Sequence, residues 1–147
     1  MDPALDANLQ RLLDRQSIED TLYRYASTID GQDWDRLRSV LADDVVGVFD
    51  NNAPIHGADA LVDWIVSVAG TRDWQHHLLN VYHVDIDGDA ASAVTYHTSH
   101  QTQVDEPGSV YVIVARYYDT LRRASDGRWL IARKEMQVGW RETRTPG

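Results

Sequence analysis

Two kinds of side chain in this sequence could handle protons near neutral pH: six histidines, and a carboxylate in an unfavourable place. The carboxylate is Asp30, directly before Gly31, where helical spacing ends. An acid at a helix C-terminus faces the negative end of the dipole, so its presence asks for a compensating role or is simply a turn residue. Of the histidines, His76 and His77 are adjacent on an extended run. Period-two alternation puts His76, Leu78, Asn80 and Tyr82 on one face and His77, Leu79, Val81 and His83 on the other. His97 and His100 are three apart, so a regular strand sends them to opposite sides. One of the two is expected in a pocket, with His97 preferred. An imidazole held at Nδ1 by a carboxylate keeps Nε2 free as a general base, and the same carboxylate stabilises the imidazolium that forms.

Other chemistries find no support. With no cysteine, thiolate zinc sites, iron–sulfur clusters and cysteine nucleophiles are excluded. There is no His-Glu-x-x-His string, and the histidine pairs diverge, so no metal is expected. Nucleophile-elbow, Walker and dinucleotide-binding strings are absent, so no cofactor is expected either. Lys plus Arg is 14 against 23 Asp plus Glu, a formal charge of −9, which disfavours nucleic acid and anionic membranes as partners. The longest apolar run, Val110–Ala115, is far short of the ~20 residues of a membrane helix. The first ten residues lack the basic start and apolar stretch of a signal peptide. Hydrophobic residues at 43% and charged residues at 25% are ordinary globular composition. The expectation is a soluble, cytoplasmic, single domain over 1–147, binding something neither strongly anionic nor polymeric.

The elements that would position these groups are α followed by β. Leu5, Leu9, Leu12 and Leu13, then Ile18, Leu22, Tyr25, Ala26 and Ile29, recur at helical spacing, as one bent helix or two, with Gly31 as the stop. Asp33 caps a short helix through Ala42, broken by Asp43-Asp44. Val45–Phe49 reads as a strand, Pro54–Gly57 as a second brief extended piece, and Ala58 to about Ala69 as a third helix with Leu61, Trp64, Ile65 and Val68 inward. From residue 74 the period is two. Four strands are expected at about 74–86, 89–103, 109–123 and 128–140, with turns at Asp87-Gly88, Glu106-Pro107-Gly108 and Ser125-Asp126-Gly127. Residues 143–147 are expected to fray. The class is α+β, with three helices on one face of a mostly antiparallel sheet. Strand 109–123 is apolar on both faces, which points to a homodimer or higher homo-oligomer through the back of the sheet.

Several strings resemble the polyketide-cyclase-like (SnoaL-like) branch of the nuclear-transport-factor-2-like superfamily, the group of scytalone dehydratase, bile-acid dehydratase and hexachlorocyclohexane dehydrochlorinase. They are Ile18–Ala26, Ile29–Arg38, Leu41–Val45, His56-Gly57, His76–Asn80, Asp87–Ala90, Arg116–Arg123 and Asp126–Trp129. The resemblance covers nearly the whole chain and implies a cone-shaped barrel, its curved sheet and helices enclosing a deep apolar pocket. It further implies that Asp30 points into the pocket and orients a histidine, matched by the string to His76, and that Tyr25 donates a phenol to a substrate oxygen. On spacing alone Tyr25 is equally a core residue, about 140° round the helix from Asp30. His97 or His100 would be the second pocket histidine. Phe49 stands where the dehydratase carries a pocket tyrosine, and Arg116 and Tyr118 fall near its serine and asparagine, so scytalone is not the expected substrate. Trp64 is placed at the pocket mouth.

The resulting expectation is a cofactor-independent lyase, isomerase or cyclase taking a proton from a small cyclic or polycyclic apolar substrate. The competing reading is a non-catalytic binding or assembly protein, like the small subunits of ring-hydroxylating dioxygenases, because this superfold hosts both.

Overall fold

A computed structural model describes residues 2–145. Helix α1 (Pro3–Asp30) is a single helix of 28 residues. Asp2 caps it, accepting from the Ala4 N–H at 2.9 Å, and Pro3 sits at the first turn, where it loses no bond. Its apolar burial is confined to the second half, through Ile18, Leu22, Tyr25, Ala26 and Ile29. Leu5, Leu9, Leu12 and Leu13 form an exposed stripe. Asp14 holds the middle of α1 to the sheet. Arg123 donates to both its oxygens at 2.8 Å and lies 4.6 Å over the Trp129 ring. That guanidinium keeps the Asp14 carboxyl below the usual carboxylate range.

Gly31 ends α1 with an ordinary right-handed backbone (φ −84°); the left-handed position is taken by Gln32 (φ 52°). Helix α2 (Trp34–Ser39) is shorter than its spacing suggests. Strand β1 (Leu41–Phe49) begins at once and runs through Asp43-Asp44. Leu41 pairs with Ile131, so strand pairing overrides the helical pattern of Val40–Ala42. Strand β2 (Ile55–His56) and helix α3 (Ala58–Ala69) follow, then β3 (Arg72–Asp87), β4 (Ala90–Gln103), β5 (Glu106–Arg123) and β6 (Trp129–Arg144). The β4–β5 turn is at Val104-Asp105, two residues before the expected place, and Thr143 and Arg144 belong to β6. Residues 146–147 of the expected frayed end lie outside the described residues.

The six strands form one curved, unclosed, mixed sheet in the order β2-β1-β6-β5-β4-β3, with β1 and β6 parallel. The core lies between the helices and the concave face, centred on Ile18, Leu22, Leu37, Leu61, Ile65, Leu121, Trp129 and Ile131.

Candidate active site

The C-terminus of α1 meets the start of β3. Gln75 ties the junction, donating through Nε2 to the carbonyls of Ile29 (3.0 Å) and Ala69 (3.3 Å), so one side chain binds the ends of α1 and α3. Gln32 adds a bond to the Arg72 carbonyl at 3.2 Å. Asp30 is thereby fixed against β3. Its Oδ2 accepts from the His77 backbone N–H at 2.9 Å, and its Oδ1 lies 2.5 Å from His77 Nδ1. An ionised carboxylate only accepts, so Nδ1 carries the hydrogen and Nε2 presents a lone pair. No side chain or backbone group bonds Nε2 among the described residues.

His77 lines a cavity of about 300 Å³ between the sheet and the ends of α1 and α3. Its ring stacks on His97 (centroids 5.0 Å, 25°), which in turn stacks on Tyr117 (4.8 Å, 27°). Both His97 nitrogens are buried without a protein partner. Burial above all, with His77 and Lys134 as neighbours, pulls the His97 pKa down to about 3, so the ring is neutral at physiological pH. Tyr25 packs edge-on to Tyr117 at 6.0 Å, and burial raises both phenols well above their ordinary range. Beneath them Lys134 Nζ lies 4.2 and 4.0 Å from the two ring centroids and 2.8 Å from the buried carboxylate of Asp119. Opposite, Phe49 and Trp64 stack at 4.4 Å and close an apolar wall.

Residues 10–135 match the SnoaL-like domain family. The chain belongs to that family. A relative over nearly its whole length is the terrestric acid biosynthesis cluster protein E of Penicillium crustosum, 28% identical over 145 residues, which cover 94% of this chain and 92% of that protein. Among solved structures, one from Novosphingobium aromaticivorans described as a candidate scytalone dehydratase superposes with a TM-score of 0.83 at 17% identity, covering 93% of this chain and 91% of the other. The hexachlorocyclohexane dehydrochlorinase LinA-type3 of Novosphingobium barchaimii superposes at 0.81 with 18% identity, over 93% and 94% of the two chains. At these identities the structural likenesses establish the fold, the cone of the nuclear-transport-factor-2-like proteins.

Within this SnoaL-like domain the sequence-predicted residues divide. Tyr25, His97, Phe49 and Trp64 line the cavity, and Asp30 stands behind its wall, bonded to His77. His76 does not: the histidine paired with Asp30 is His77. His76 lies on the convex face, between Trp74 (5.0 Å) and His100 (5.1 Å). His100 is therefore also outside the cavity. The string match misplaced the pair by one residue, and a shift of one reverses the face. Alternation held a weak signal, because two aliphatic residues, Leu79 and Val81, share the face of His77 against one, Leu78, on the face of His76. Sequence reasoning missed Gln75, Tyr117, Ser99 and the Lys134–Asp119 pair. A lysine in the middle of an otherwise apolar β6 face was the available hint of the last. Among the described residues no group of three or more His, Asp or Glu is placed to hold a metal.

Proposed function

We propose that this SnoaL-like domain is a cofactor-independent enzyme that removes a carbon-bound proton from a small cyclic substrate. The outcome would be elimination, double-bond isomerisation or aldol-type ring closure. His77 Nε2 is the base. Asp30 fixes the ring, keeps the hydrogen on Nδ1 and balances the imidazolium. Neutral His97 and the Tyr25 phenol sit where they can donate to the oxygen on which charge develops. The stacked Phe49 and Trp64 exclude water and orient the ring system. The supporting observation is the Asp30–His77 contact at the wall of a cavity, with Nε2 unbonded.

The test is exchange of α-protons of cyclic ketones such as 1-tetralone in deuterated water, followed by proton NMR. Wild-type protein is expected to exceed both His77→Ala and Asp30→Asn by at least the ~100-fold that a positioned base supplies. Equal rates for wild type and His77→Ala, with folding intact by circular dichroism, would reject the reading in favour of a binding or assembly protein. We further propose that the convex sheet face is a contact between copies of this chain, because Trp74, Leu78 and Trp140 stand exposed on it.

A further inference from the structure

The cavity has a second chemistry away from His77. His77 pairs with Ser99, Ser99 with Ile113 and Ile113 with Arg141, so base and guanidinium stand in one cross-strand row. With strands about 4.8 Å apart, that row spans roughly 14 Å along the sheet. Arg72 opens β3, and its guanidinium lies 5.6 Å from the centroid of the Tyr111 ring. Arg72, Arg141 and Tyr111 all line the cavity, and no Asp or Glu does among the described residues. Arg141 is partly compensated, 3.2 Å from Asp50. Arg72 is not: its Nε is buried without a hydrogen-bond acceptor, and no described carboxylate pairs with it. A buried cationic N–H without an acceptor is costly, and an acceptor brought by a ligand would remove that cost. An anionic oxygen makes the strongest such bond, and a carboxylate fits the guanidinium fork.

We propose that Arg72, with Arg141 at the exposed edge of the cavity, forms a subsite for an anionic group, and that the substrate is a cyclic compound bearing a carboxylate. This departs from the expectation, drawn from the −9 charge of the chain, of a ligand that is not strongly anionic. Net charge describes the far field, whereas the cavity is lined by cations. The proposal rests on the proton-transfer reading for what happens at His77; the binding half stands alone.

Calorimetric titration of the full chain with 2-naphthoate and its neutral isostere 2-naphthamide tests it. At low salt the acid is expected to bind at least tenfold tighter. Arg72→Met should bring the two ligands within twofold of each other, and Arg72→Lys should keep part of the preference. Equal binding of acid and amide by the wild type overturns the proposal, as does binding of neither at millimolar concentration. A uniform loss for both ligands in Arg72→Met also overturns it, provided the variant's melting curve shows it folded. The wild-type comparison holds even if that variant fails to fold. A clear acid preference with unchanged proton exchange in His77→Ala would leave the subsite standing and reject the base.

Discussion

His97 shows at the scale of one residue how burial decides what a histidine can do. Its ring is enclosed by those of His77 and Tyr117, and both nitrogens lack a protein partner. Its pKa falls from the ordinary 6.5 to about 3. Below pH 6.5 the unfolded chain takes a proton that the folded chain refuses. Stability is therefore lost as pH falls through the window from about 6.5 to 3, by up to ~1.4 kcal/mol per unit, and the contribution is flat above it. His97→Gln removes that proton from the unfolded state. Between pH 7 and 4.5 its urea-unfolding free energy is expected to fall by about 2 kcal/mol less than that of the wild type. A parallel fall in the two proteins would show that His97 protonates in the fold. A neutral His97 also leaves the charged roles of the site to Asp30 and His77, so the imidazole resonances of His97 should not titrate between pH 5 and 8.

Between elements, β1 comes close to α3 at Gly47, where there is no side chain in the way. A Cβ there would meet Leu61 Cδ1 at 2.7 Å and Phe49 Cε2 at 2.9 Å. Gly47→Ala must push α3 outward or twist Phe49 off its stack with Trp64. A loss of about 1–3 kcal/mol is expected, as for other overpacked cores, read from urea unfolding. Because Phe49 and Trp64 form the apolar wall, 2-naphthamide binding should weaken with it, and an unchanged affinity would mean that the wall lies outside the ligand's footprint. The same elements show what the chain discloses locally. Helix α3 follows its apolar stripe from Ala58 to Ala69, as the spacing predicts. The four long strands follow period two, and two of their three turns carry the expected left-handed glycines, Gly88 and Gly127. Three features are set by partners distant in sequence. The end of α2 yields to the pairing of Leu41 with Ile131. The β4–β5 turn shifts to Val104-Asp105. The register of β3 is irregular between Arg72 and Trp74, so faces cannot be counted from the strand's start. That irregularity precedes the histidine pair, and the site's identity turned on a one-residue choice there. Asp30 was legible because a carboxylate at a helix C-terminus is anomalous on its own. The Lys134–Asp119 pair was legible only in half: Lys134 stands out on an apolar strand face, but nothing local marks Asp119 as its partner until the fold places them together.

For the whole molecule, the two faces of one sheet carry different tasks. Odd positions of β3 from Gln75 to Val81 face inward, Gln75 and His77 to the cavity and Leu79 and Val81 to the core, and the adjoining even positions carry Trp74, His76 and Leu78 to the convex side. There Leu78 pairs with Thr98, Thr98 with Val114 and Val114 with Trp140, a row that leaves Leu78 and Trp140 each 58% exposed, with Trp74 at 59% nearby. Large apolar groups grouped on one sheet face are a surface that association would cover. The charge of −9 per chain opposes association at low ionic strength, and salt screens that repulsion while strengthening apolar contact. Sedimentation equilibrium is therefore expected to show a homodimer or larger assembly that tightens from 20 to 300 mM sodium chloride. Leu78→Asp with Trp140→Asp should give a monomer. Because neither side chain lines the cavity of His77 and Arg72, the monomeric double variant should keep the preference for 2-naphthoate over 2-naphthamide. A wild-type monomer at micromolar concentration would remove the convex face from consideration as a subunit contact. Loss of ligand preference on dissociation would instead mean that a second copy completes the cavity.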